Sequence, residues 1–333
     1  MSGQCVEGAS GGVALGMATS PPPFTGVHPI VPTPFLEDGS LDLESVERLV
    51  DHQVDAGVDG IAILGFMGEA HKLTGAERRD VMQTAVARAG GRIIVWVGVR
   101  AFGTAGAIEQ VQEAEAHGAD AVFVAPIAPG TAAVLDRHYR AVASATALPV
   151  AIHDYPSEFG ITIPADLIAA LAVDGVTPYL KAEDPPVLVK QRRVLAGAPG
   201  RIGIFGGLGG QWVLEELENG AAGVMTGLAF PEVLVDIYRR YAAGDTAGAS
   251  EVFDRVLPLI RYEFQPGIGV ALRKHVFVRR GVFGTATVRP PHPSIDDATI
   301  REFERVAERC GLDVARAAPM PVQASAEVAS AKL

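Results

Sequence analysis

Eight short runs rich in Val, Ile and Ala, separated by longer segments of helical periodicity, constrain this chain more than any other feature. The runs cover 27–33, 60–64, 92–99, 119–125, 149–153, 177–181, 201–205 and 223–226. Helical patterns lie between them at 42–56, 74–89, 104–117, 133–145 and 164–171. Such alternation is the signature of βα units and a parallel sheet. Gly57, Gly118 and Gly220 each stand just before a run, where glycine supplies the left-handed stop of the preceding helix. Eight units predict an α/β protein, a closed (β/α)8 TIM barrel with its active site at the C-terminal ends of the strands. A doubly wound open sheet is the competing topology, but no Gly-x-Gly-x-x-Gly loop follows the first run. Three further helical patterns, 247–264, 267–280 and 295–310, predict a C-terminal helical extension. The expected layout is a leader over 1–23, the barrel over 24–243, the extension over 244–315 and a flexible tail over 316–333.

Composition supports one large core. The chain has 333 residues, 48% of them hydrophobic, which suits a single barrel domain. A net charge of -11 gives no electrostatic reason to bind nucleic acid or an anionic membrane surface. Cys5 and Cys310 are too few for a disulfide framework or a metal site. No apolar run approaches the roughly 18 residues of a membrane span. The first 23 residues are rich in Gly, Ser, Ala and Pro without the basic start of a secretory signal. The expectation is a cytoplasmic protein with no bound metal.

A barrel should collect polar and special residues just after its strands, and the sequence does so. The second run leads into Gly65-Phe66-Met67-Gly68-Glu69, the third into Arg100, and the fifth into His153-Asp154-Tyr155-Pro156. The sixth leads into Lys181-Ala182-Glu183, and the seventh into Gly206-Gly207, whose backbone N–H groups have room to approach a ligand or simply to turn tightly. Lys181 is the residue with most chemical meaning. Only five lysines occur, and the other four, Lys72, Lys190, Lys274 and Lys332, fall on helices, loops or the tail. Burial disfavours an ammonium, and a neutral amine attacks a ketone to form an imine. The plainer alternative is a strand-end lysine paired with Glu183. Strand alternation puts His153 and Tyr155 on one face, so both point into the barrel while Asp154 points outward.

These segments resemble the dihydrodipicolinate synthase and N-acetylneuraminate lyase superfamily over roughly residues 27–280. The resemblance rests on Thr33-Pro34-Phe35 with Asp38-Gly39-Ser40-Leu41-Asp42, on Gly68-Glu69, and on Pro156-Ser157 with Gly160. It rests also on the Lys181 strand and on Gly223-Val224-Met225-Thr226-Gly227. It implies a cofactor-free class I lyase in which Lys181 forms a Schiff base with a pyruvate-like 2-keto acid. It further implies a homo-oligomer, tetramer or dimer. The departures are specific. The family's Thr-Thr-Gly-Glu is Phe66-Met67-Gly68-Glu69 here, and the tyrosine that protonates the leaving oxygen is replaced by His153, with Tyr155 two residues on. The synthase arginine that reads the aldehyde's carboxylate falls at Glu158, and the tyrosine pair donated after the fourth strand falls at Ile127-Ala128.

Those changes argue against dihydrodipicolinate synthesis. His-Asp-x-Pro with Lys-x-Glu is more similar to the branch that dehydrates or cleaves 2-keto-3-deoxy sugar acids. The expected catalytic residues are Lys181, His153 and Tyr155. The expected substrate contacts are Phe66, Met67, Gly68, Arg100, Glu158, Glu183, Gly206 and Gly207, with Arg100 the candidate carboxylate clamp and Glu69 a structural carboxylate. Two other readings stay open: condensation of pyruvate with an aldehyde, favoured by the apolar Phe66-Met67 pair, and a barrel that only binds a metabolite.

Overall fold

The computed structural model describes residues 24–293 and 295–316. Its elements run β1 (Gly26–Val27), α1 (Leu43–Asp55), β2 (Gly60–Ile63), α2 (Gly75–Ala89), β3 (Ile94–Val99), α3 (Thr104–Ala116), β4 (Ala121–Val124) and α4 (Ala132–Ala143). They continue with β5 (Val150–Asp154), α5 (Pro156–Phe159), α6 (Ala165–Val173), β6 (Tyr179–Ala182), α7 (Val187–Gly197), β7 (Gly203–Gly206), α8 (Val213–Glu218), β8 (Gly223–Val224) and α9 (Pro231–Ala242). Helices α10 (Thr246–Glu263), α11 (Gly269–Arg279) and α12 (Asp297–Arg309) follow the barrel. The predicted leader lies outside the described residues, as does the predicted tail beyond its first residue.

All eight strands are parallel, in the order β1-β8-β7-β6-β5-β4-β3-β2. An isolated parallel bridge between Ile30 and Ala62 joins the two ends and closes the TIM barrel. The first strand is shorter than the expected 27–33 because Pro29 and Pro32 have no N–H to give the ladder. Local signals explain the helix limits. Asp42 caps α1 by accepting from Ser45 N–H, and Thr74 with Glu77 forms a reciprocal capping box at α2. Gly57, Gly118 and Gly220 take φ values of 76°, 80° and 89°, the left-handed stops that the sequence pattern anticipates.

Strand alternation divides the core into two. Outward side chains pack against the helical ring. Inward side chains, among them Trp96, Phe123, Tyr179, Phe205 and Met225, fill the barrel. Each such fully buried large side chain contributes about 1.5–3 kcal/mol by leaving water. The register sets His153, Lys181 and Phe205 side by side on three neighbouring strands, at the top of this filling. The extension then closes over that end. Lys274 of α11 is buried and bonds Glu69 Oε1 at 2.6 Å. Glu69 Oε2 accepts from Lys72 Nζ at 2.9 Å and from Arg289 N–H at 3.0 Å. The structural role expected for Glu69 is thus to tie the turn after β2 to the segment that crosses it.

Candidate active site

Lys181, His153 and Glu183 converge at the C-terminal end of the barrel, all three buried. Lys181 Nζ lies 3.2 Å from His153 Nε2, which lies 3.0 Å from Glu183 Oε2, and Lys181 Nζ bonds that same carboxylate oxygen. Inward parity explains the meeting, since residues 181 and 183 share one face of β6 and its continuation, and His153 is the registered partner of Lys181. Tyr155 is half-buried, with its ring stacked at 6.1 Å from the His153 ring and its centroid 5.9 Å from Lys181 Nζ.

Burial dominates the electrostatics. It lowers the Lys181 ammonium below its ordinary range, opposed by the charge and hydrogen bond of Glu183. Burial, then the positive charge of Lys181, lowers His153 to about 4, so its imidazole is neutral at pH 7. Burial alone would raise Glu183, but Lys181 and the bond to His153 outweigh it and bring the carboxyl down to about 2. Tyr155 is raised to about 12, by burial and then by Glu183, so its phenol keeps its proton. The site therefore combines an amine that is easily neutralised, a neutral base and a phenolic donor.

The loop after β7 holds Glu183 in place. Leu208 adopts a left-handed φ of 43°, and its N–H donates to Glu183 Oε1 at 3.0 Å. A Cβ on Gly207 would stand 2.3 Å from Glu183 Cγ, and one on Gly206 would stand 1.9 Å from a carboxyl oxygen of Glu216. Gly206 and Gly207 are thus needed to admit two carboxylates. Neither lines the Lys181 cavity, where Gly209 stands instead. Glu216, buried behind this loop on α8, is raised from the ordinary 4.5 to about 8 by burial and then by Glu183 and Glu215.

The inner cavity beside Lys181 includes Phe66, Met67, His153, Tyr155 and Glu183, as well as Ile30, Thr226, Gly227, Phe264 and Arg273. It opens into an outer mouth of about 450 Å³, reached by Phe66, Met67, Glu158 and the 264–267 and 291–293 segments. Gly68 is outside both linings; its carbonyl accepts from Thr33 Oγ1 at 2.6 Å, which fixes the β2 turn. Arg100 lines an adjoining hollow beneath Phe159 and pairs with Glu158 at 2.8 Å, so its charge is engaged at the rim and not beside Lys181. Asp154 points outward to Lys190 of α7 at 2.6 Å. No local sequence pattern marks Arg273, one of several basic residues on α11.

The family resemblance has direct support. A model described as the dihydrodipicolinate synthetase family matches residues 23–310. The chain belongs to that family. An L-2-keto-3-deoxyarabonate dehydratase of Azospirillum brasilense is 30% identical over 300 residues, 88% of this chain and 96% of that protein. A 4-hydroxy-tetrahydrodipicolinate synthase of Kosmotoga olearia is 29% identical over 300 residues, covering 87% and 99%. The crystal structure of dihydrodipicolinate synthase from Rhodopseudomonas palustris superposes with a TM-score of 0.81 at 33% identity, over 86% of this chain and 97% of that one. A prophage protein of the same family from E. coli K12, in complex with pyruvate, gives 0.82 at 25% identity over 87% and 100%. This member of the dihydrodipicolinate synthetase family is a lyase by descent, with both dehydratases and synthases among its relatives.

Proposed function

We propose that the protein is a Schiff-base dehydratase acting on a 2-keto-3-deoxy sugar acid. The observation that carries this reading is the contact of Lys181 Nζ with both His153 Nε2 and Glu183 Oε2, all three side chains buried and lining one cavity. Lys181 as the free amine attacks C2 of the keto acid, and loss of water gives an iminium. The iminium acidifies C3, whose proton passes to the His153–Glu183 pair, leaving an enamine. The enamine expels the C4 hydroxyl, which takes a proton from the Tyr155 phenol and leaves as water. Hydrolysis of the resulting imine returns Lys181.

One feature favours dehydration over the synthase reaction. Glu158 stands where the synthase places a cation for its aldehyde, and it is paired with Arg100. Overall similarity does not separate the two activities, since a dehydratase and a synthase align over 96% and 99% of their lengths at 30% and 29% identity. The protein is further proposed to work as a homo-oligomer, which sedimentation velocity checks. Incubation with L-2-keto-3-deoxyarabonate, followed by mass spectrometry of the products, tests the reaction. A single product lighter by one water is expected. Pyruvate plus a two-carbon aldehyde would show an aldolase and overturn the dehydratase assignment.

A further inference from the structure

The inner cavity holds a second cationic side chain that the steps above do not use. Arg273 of α11 is 2% exposed. Its Nε donates to Glu263 Oε1, and Glu263 is held in turn by the Ala229 N–H at 3.2 Å. That arrangement pins one edge of the guanidinium and leaves Nη1 buried without a hydrogen-bond partner. Nη1 sits at the cavity wall by Gly227, where a Cβ would stand 2.9 Å from it. A buried donor left unpaired is costly, and the ligand that best matches a guanidinium fork is a carboxylate.

We propose that Arg273 binds the C1 carboxylate of the keto acid; the proposal rests on the Schiff-base reading. C1 is bonded to C2, the atom that joins Lys181, so the carboxylate must lie close to Nζ, beside the inner cavity of about 30 Å³ that Lys181 and Arg273 both line and the mouth that Arg273 also borders. Arg273 is itself paired with Glu263, as Arg100 is with Glu158 and Lys72 and Lys274 are with Glu69, but of these four only Arg273 keeps a buried nitrogen without a partner. Phe66 and Met67 bring no hydroxyl to the site. With C1 held on the β8 side, the rest of the substrate extends into the outer mouth of about 450 Å³, which has room for a chain longer than pyruvate. The close approach of Nη1 to Gly227 also gives that glycine a role, since a side chain there would displace the guanidinium.

Borohydride trapping of pyruvate and of methyl pyruvate, which keeps the ketone but lacks the charge, tests the assignment. In Arg273→Met the ratio of acid to ester adduct at subsaturating concentration is expected to fall roughly ten- to hundredfold from the wild-type ratio. The ester adduct itself should persist. Because Arg273→Met strips Glu263 of its cation, the double variant Arg273→Met/Glu263→Gln is measured beside it with the same expectation. An unchanged ratio in the folded variants overturns the Arg273 assignment and leaves imine formation standing. No adduct with either compound in the wild type overturns the imine reading and this proposal with it.

Discussion

Glu183 Oε2 meets both Lys181 Nζ and His153 Nε2, and that single oxygen opposes the effect of burial on both neighbours. Removing its charge in Glu183→Gln takes away the main opposition to burial at Lys181, leaving only the weaker effect of Glu216, so the ammonium is lowered further. Borohydride trapping of pyruvate, followed against pH, should then rise to its plateau at lower pH than in the wild type, even as turnover falls. A midpoint displaced upward would show that Glu183 does not hold the ammonium. His153 has a separable part. His153→Gln should cut turnover by roughly a hundred- to ten-thousandfold while the trapped adduct still forms, because proton transfer is lost but the amine is not. Equal loss of adduct and turnover would place His153 in imine formation instead. At this scale parity was legible, since alternation along β5 faced His153 and Tyr155 inward and Asp154 outward. The partner of Arg100 was not. Nothing in the order of residues announces that Glu158 reaches it across the rim.

The elements contribute the constraints that the side chains need. Leu64 and Glu69 flank the β2 turn with φ of 57° and 55°, and Leu208 follows β7 at 43°, so the three described non-glycine residues with left-handed backbone all stand at the catalytic end. In the β7 loop the strain presents one N–H to Glu183, and Gly207 leaves the carboxylate its space. Gly207→Ala should therefore displace Glu183, with a stability loss of about 1–3 kcal/mol by denaturant unfolding and a sharp fall in turnover. Full turnover in that variant would mean that the Glu183 position is unimportant. The consecutive glycines were visible in the sequence, but their purpose was open. A ligand approach and a carboxylate approach require the same missing side chain, and only the placement of α8 and of Glu183 separates them.

Across the whole molecule, the eight runs were enough to specify a closed barrel, because buried parallel strands and amphipathic helices leave distinct periodicities. Proline shortened the first strand without opening the barrel. Less legible was the part of the site supplied by α11, which lies 92 residues beyond Lys181 in the sequence (273 − 181) yet faces the same cavity. Long-range convergence of that kind leaves no local pattern. Stability of the whole molecule should carry the mark of Glu216. Its folded-state proton is held up to about pH 8 against an ordinary value of 4.5, so the folded protein binds the proton more tightly than the unfolded chain. That contribution is complete below pH 4.5 and is lost as the pH rises to about 8. In Glu216→Gln, urea unfolding across this window should show a weaker decline of stability with pH than in the wild type. An identical pH dependence would mean that Glu216 does not titrate in the folded protein.

The central claim is that Lys181, alone among the lysines, bonds covalently to a 2-keto acid. Lys274 is the most demanding control, because burial lowers it to about 8, opposed by Glu69, yet it lines neither the inner cavity nor the mouth. The decisive measurement is peptide mapping by mass spectrometry after pyruvate and borohydride treatment of wild type and of Lys181→Ala. One adduct on the Lys181 peptide, absent from the variant, is the predicted result; an adduct on Lys274 or elsewhere that survives in Lys181→Ala would contradict the account.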